Sequence, residues 1–148
     1  MGLFTGIEIS SSGLTAQRLR LDVIASNIAN AETTRSGEVD ASGRPVPYKR
    51  KDVVFEAGTP FGVYLRRKLG STSGVRVRRI VEDNMDPRLV HNPDHPDADE
   101  RGYVRMPNVN ILEEMVDLIS ATRSYEANVT SLNATKEMCL RALEIGRR

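Results

Sequence analysis

"ILEEMVDLISATRSYEANVTSLNATKEMCLRALEIG", residues 111–146, carries the longest unbroken helical pattern in the chain. Ile111, Met115, Leu118, Thr122, Tyr125, Val129, Leu132, Lys136, Cys139 and Leu143 fall at spacings of 4 and 3 in turn, and eight of these ten are apolar or aromatic. That is the heptad seam of a helix packed along a partner helix. Asn110 sits where an N-cap belongs, Glu113 stands at the third helical position as in a capping box, and Gly146 marks the stop. At about 1.5 Å per residue the helix is roughly 50 Å long, whereas a compact domain of this length is roughly 30 Å across. Such a helix protrudes, and its seven-residue repeat calls for a partner wound left-handed around it.

The only comparable segment lies at the other end of the chain. Ile7, Leu14, Leu21 and Ile28 recur at intervals of seven, and Ser10, Gln17, Ile24 and Ala31 complete a stripe spaced 3 and 4. Gly2, Gly6, Gly13 and the serines at 10 to 12 weaken its start, each interior glycine costing about 1 kcal/mol relative to alanine. Alone, this helix is marginal. Near its end, in "LDVIASNIANAETT" (21–34), stand Asn27 and Asn30, poor helix formers because the amide competes for backbone hydrogen bonds. Both flank the seam and join Val23 on a second face, as Asn128 flanks the C-terminal stripe. An amide both donates and accepts, so these residues are candidates to bond an adjacent helix of a neighbouring subunit and set its register. The plainer alternative is that Asn27 and Asn30 end the helix, with Thr33 or Thr34 beginning the turn.

Composition limits what these helices can serve. The chain has 148 residues, 5% aromatics, no Trp and 39% hydrophobic residues, which predicts one modest core. A formal charge of +1 gives the whole molecule no strong pull toward nucleic acid or membrane. Cys139 is the single cysteine, so no internal disulfide or multi-cysteine metal site forms; its seam position suits a small buried residue better than a nucleophile. No run approaches the roughly 20 apolar residues of a membrane span, and the N-terminus lacks the pattern of a cleaved secretory signal. The seven prolines all fall between Pro45 and Pro107, which divides the chain into an N-terminal helix (1–34), a loop and small β-rich segment (35–107) and a C-terminal helix (108–148). The expected class is α+β.

In the middle, "KDVVFEA" reads as a strand, and "GVYLRRKL" and "GVRVRRIVE" read as a hairpin about "GSTS". Val75 and Val77 alternate with Arg76 and Arg78, which predicts one buried and one basic face. Residues 44–79 carry ten Lys or Arg against two acids, a net +8, and residues 80–100 carry one Arg against seven acids, a net −6. The basic block 44–79 could contact phosphates, but no interleaved aromatics or binding motif accompany it. In "HNPDHPDADE" (91–100) His91, Asp94, His95, Asp97, Asp99 and Glu100 are of metal-binding types, yet Pro93 and Pro96 forbid the helix that would align the histidines. Solvated turns are the expectation there. A nucleic-acid or metal-binding module using one of these two segments is the alternative function. No Walker, dinucleotide or catalytic pattern occurs, so neither a cofactor nor an enzyme is expected.

"SSGLTAQRLRLDVIASNIANAETT" resembles the N-terminal signature of the bacterial flagellar rod and hook axial proteins, and "GYVRMPNVNILEEMVDLISATRSYEANVTSLNATKEMCLRALEIG" resembles their C-terminal helix. "PYKRKDVVFEA" and "PRLVHNPDHPDADERGYVRMPNVN" extend the resemblance to most of the chain. It implies a structural subunit, exported through the flagellar type III apparatus and assembled as part of the rod that crosses the periplasm. It also implies that the terminal helices pair as an antiparallel coiled coil inside a helical tube. Implied partners are other copies of the chain, the rod proteins FlgB, FlgF and FlgG, the adaptor FliE and the export apparatus, with no nucleic acid and no membrane insertion. The residues expected to carry assembly are Leu14, Leu21, Asn27, Ile28, Asn30, Leu118, Tyr125, Asn128 and Leu132.

Overall fold

The computed structural model describes residues 3–40, 43–58 and 74–146, with side chains from Thr5 onward. Helix α1 runs Leu3–Ala29, strands β1 and β2 run Lys51–Ala57 and Val75–Glu82, β3 and β4 run Arg88–His91 and Tyr103–Met106, and helix α2 runs Ile111–Ile145. The class is α+β: a long helix at each end, with two two-stranded sheets, β1–β2 and β3–β4, between them. Among the described residues no helix is long and apolar enough to cross a membrane. The expected strand "GVYLRRKL" and its turn lie outside the described residues.

Capping chemistry fixes where the helices stop. Asn110 Oδ1 accepts the Leu112 N–H at 3.1 Å and Asn110 O accepts the Glu114 N–H at 3.0 Å, so two of the orphan donors of α2 are satisfied. At the end of α1, Asn30 Nδ2 donates to Ser26 O at 2.9 Å and Asn30 Oδ1 accepts from Thr33 Oγ1 at 3.2 Å. That is the helix-ending role.

The α2 seam differs from the expected one by one residue in one of its two columns, whereas both expected columns of α1 are inward and a third joins them. On α2 the inward column Leu118, Tyr125, Leu132 and Cys139 is half-buried as expected, but its companion column is Glu114, Ala121, Asn128 and Thr135. Ile111, Met115 and Leu143, expected inside, are 44%, 50% and 71% exposed, and Thr122 and Lys136 are exposed too, while Val129 is half-buried as expected. On α1, Ser10 and Ile24 are buried with Ala31, and Gln17 is half-buried, while Leu14, Leu21 and Ile28 are half-buried beside a column of Gly6, Gly13, Arg20 and Asn27. The physical reason is close approach. A Cβ on Gly13 would stand 3.0 Å from Asn128 Oδ1, and one on Gly6 would stand 3.4 Å from Thr135 Cγ2. Helices this near each other accept small residues in the shared column, and larger apolar ones are turned outward.

The chain divides into two compact units, one within Met1–Leu21, Val53–Arg79 and Ile119–Arg148, the other within Asp22–Asp52 and Ile80–Leu118. In the first, Gly6 faces Thr135 and Gly13 faces Asn128, so residue numbers rise on one helix as they fall on the other. Ser12 Oγ accepts the Val75 N–H at 3.1 Å, and Arg20 lies 6.0 Å from the centre of the Phe55 ring. Glu56 pairs with Arg76 and Arg78 across the β1–β2 ribbon. Only half of the expected burial of β2 is found: Val77 is half-buried but Val75 is 41% exposed.

In the second unit, β3 and β4 pair antiparallel from Arg88↔Met106 to His91↔Tyr103. The His91 and Tyr103 rings meet edge to face at 5.1 Å. Gly102, at φ +77°, turns the chain into β4 and donates to Asp99 O at 2.9 Å. Val104 is fully buried, with Pro107 and Val109 after it, and these make the short core from which α2 starts.

Candidate assembly site

Asn27 is 1% exposed and its amide has four partners within the second unit. Nδ2 donates to Lys51 O at 2.8 Å and to Glu114 Oε2 at 3.1 Å, while Oδ1 accepts from the Lys51 N–H and from Tyr48 Oη, each at 3.0 Å. The two bonds to Lys51 form a closed pair like a rung of a β-ladder, so a helix side chain stands in for a neighbouring strand at the start of β1. An amide has two donors and two acceptor sites, and all are filled. This internal role takes the place of the expected bond from Asn27 to a neighbouring subunit.

Glu114 completes the cluster. It is 1% exposed, and its Oε1 accepts from Arg50 Nε at 2.6 Å; Arg50 Nη2 also lies 3.8 Å from Asp117 Oδ2. Burial works against the Arg50 charge, but the Glu114 hydrogen bond and the surrounding carboxylates outweigh it and hold the guanidinium above its ordinary value. Two helices and the first strand are therefore joined through one polar knot: α1 by Asn27, α2 by Glu114, and β1 with its lead-in by Tyr48, Arg50 and Lys51. Sequence reasoning singled out Asn27 but missed its partners. Their signal was an acid, Glu114, on the side of α2 that the apolar count left outside the seam.

A second clamp holds the segment after α1. Arg35 donates to Asp97 Oδ1 from Nε at 2.8 Å and from Nη2 at 2.6 Å, and Thr34 Oγ1 donates to Asp97 Oδ2 at 2.8 Å. These bonds, that of Arg35 first, keep the Asp97 carboxyl below its usual range. Asp99 is lowered likewise, chiefly by the Tyr103 backbone N–H. Among the described residues no group of three His, Cys, Asp or Glu side chains could hold a metal ion. The carboxylates at 97 and 99 bind the chain's own donors.

The start of α2 is amphipathic in the inverse sense. Its inward positions include Glu114 and Asp117, while Leu112, Met115, Val116 and Ile119 are 74%, 50%, 67% and 52% exposed. At about 100° per residue, Leu112 and Val116 lie about 160° round the helix from Glu114. The first turns of α2 thus bury an acid and turn an apolar stripe to water. Of the other residues expected to carry assembly, Leu14, Leu21, Ile28, Asn30, Leu118, Tyr125, Asn128 and Leu132 are all half-buried. Asn128 Nδ2 donates to Ser124 O at 2.9 Å on its own helix.

Comparison with known proteins gives the family of the chain. Residues 7–35 match the family described as flagella basal body rod protein, and residues 100–145 match the flagellar basal body rod FlgEFG protein C-terminal family. The chain is 49% identical to the flagellar basal-body rod protein FlgC of Bacillus subtilis over 99% of this chain and 100% of that one. The FlgC proteins of Borreliella burgdorferi and Yersinia enterocolitica are 45% and 44% identical, covering 98% and 99% of both chains. The chain belongs to the FlgC family of flagellar basal-body rod proteins. As a FlgC-family member it is a structural subunit of the flagellar basal-body rod and not an enzyme. That membership replaces the alternative of a nucleic-acid or metal-binding module. Part of the basic block is in any case spent inside the fold, Arg50 on Glu114 and Arg76 and Arg78 on Glu56.

Proposed function

We propose that this FlgC-family chain is a subunit of the proximal rod, exported by the flagellar apparatus and assembled helically across the periplasm, where it passes torque from motor to hook. Its terminal helices α1 and α2 pair as an antiparallel coiled coil in the inner layer of the tube, held by Leu14, Leu21, Ile28, Leu118, Tyr125, Asn128 and Leu132. The middle segment 35–107 lies outside that layer. Partners are other copies, FlgB, FlgF and FlgG as rod neighbours, FliE at the base, and the export apparatus. The observation that carries this reading is the inverted start of α2, where Leu112, Met115 and Val116 face water while Glu114 is buried. Apolar side chains left outside by one chain are covered by association, and a tube supplies neighbours on every side. Deleting the gene from its own bacterium tests the proposal. The expected result is loss of swimming, basal bodies that stop before a complete rod, and recovery of both by the wild-type chain. Complete rods in the deletion strain would contradict it.

A further inference from the structure

Two seams compete for the first turns of α2. Counting apolar residues places Ile111, Met115 and Leu118 inward, yet the structure buries Glu114 and leaves Ile111 and Met115 44% and 50% exposed. At about 100° per residue, Glu114 lies about 40° to one side of Leu118 and Met115 about 60° to the other. Both seams therefore share Leu118, and a roll of these turns by about 50° exchanges one for the other. The observed roll turns two acids inward, buried Glu114 and half-buried Asp117. The other would turn Ile111 and Met115 inward and both acids toward water, and apolar burial alone favours it. A buried carboxylate is costly unless it is paired and hydrogen-bonded, so what meets Glu114 decides the roll. Its Oε1 accepts from Arg50 Nε at 2.6 Å and its Oε2 from Asn27 Nδ2 at 3.1 Å, and Arg50 Nη2 lies 3.8 Å from Asp117 Oδ2. Both inward acids thus meet one guanidinium, supplied by the lead-in to β1.

We infer that Glu114 is a positioning residue: held by Arg50 and Asn27, it sets the roll of the first turns of α2 against the preference of their apolar residues, and so fixes which side chains the helix presents outward. Deprived of Arg50, these turns roll by about 50° onto the apolar seam and cover Met115. The device is built into the single chain and does not depend on its neighbours in the rod.

Thiol labelling of the dilute full-length chain tests it, in a Cys139→Ser background so that one engineered thiol is the only one. Met115→Cys reports the side that the roll covers, and Glu113→Cys, exposed and outward in both arrangements, is the control. Both positions should react rapidly with a maleimide while the knot is intact. Arg50→Ala should slow labelling at 115 several-fold and leave 113 unchanged. Glu114→Ala, which removes the acid itself and disturbs the fold less, should do the same. Adding Glu114→Leu to Arg50→Ala should restore rapid labelling at 115, because an apolar side chain at 114 keeps the observed roll without a partner. Faster labelling at both positions in both variants would show a frayed helix start, hence a merely stabilising Glu114, and would overturn the inference. An unchanged rate at 115 in Glu114→Ala would overturn it equally.

Discussion

An amide at position 27 with all four hydrogen-bonding sites filled is worth more to the folded chain than helix propensity can offset. Leucine is the better helix former by roughly 0.5 kcal/mol. Asn27→Leu, however, strands the Lys51 backbone groups and one oxygen of buried Glu114, and each unsatisfied buried group costs about 1 to 3 kcal/mol. We expect a net loss of about 3 kcal/mol, read from the urea midpoint of the full chain; an unchanged midpoint would show that water replaces the amide without penalty. Asn30→Leu makes the contrast, since Asn30 bonds only within its own turn and should cost less than about 1 kcal/mol. Asp97 gives a pH-dependent counterpart. Its carboxyl, held low by Arg35 and Thr34, contributes stability that is fully present above the unfolded carboxylate value of about 3.9 and is lost as pH falls through the lower folded value. The difference in midpoint between wild type and Asp97→Asn should therefore be present at pH 7 and close as the solution is acidified below about pH 4. A gap that stays constant to low pH would mean that the ionised carboxylate contributes nothing.

At the scale of the element, the two long helices and the strands β1 and β2 were legible because their periods are strong and their breakers, the prolines from 45 onward, are confined. The pair β3 and β4 was not, since four residues each side of a proline-rich turn leave too little alternation to read. Both columns of the α1 seam were legible, and the α2 seam was half legible. Counting apolar residues found Leu118, Tyr125, Leu132 and Cys139 but chose Ile111, Met115 and Thr122 where the helix buries Glu114 and Ala121. Two different surfaces draw on apolar residues in α2, one covered within the chain and one not, and a single stripe fitted to both drifts between them. Glycine decides the side on which α1 approaches. Gly13→Ala should gain about 1 kcal/mol of helix propensity, but its Cβ would stand 3.0 Å from Asn128 Oδ1 while the Asn128 amide is tied to Ser124 O. We expect no gain in the wild-type background and a gain of about 1 kcal/mol once Asn128→Ala removes the amide. Equal stabilisation in both backgrounds would mean that Gly13 and Asn128 are not in contact.

For the whole molecule, the distinction that matters is between apolar residues that serve the fold and those that serve association, and one pair of aspartate substitutions separates them. Leu132 sits half-buried in the inward column of α2, so Leu132→Asp places a charge in the helix pair and should cost several kcal/mol where it stays unpaired. Val116 is 67% exposed on the outward stripe, and Val116→Asp should leave the isolated chain within about 0.5 kcal/mol of wild type, as surface changes do. Both variants should abolish swimming, the first because the subunit is unstable and the second because a charge stands where a neighbour must pack. The diagnostic combination is therefore an unchanged urea midpoint with lost motility for Val116→Asp, against a lowered midpoint with lost motility for Leu132→Asp. Should Val116→Asp cells swim normally, the stripe is not an assembly surface and its exposure in the chain has no structural purpose in the rod. Should Val116→Asp instead lower the midpoint by more than about 1 kcal/mol, the residue would belong to the fold itself, and the inverse amphipathicity of the first turns of α2 would need another explanation.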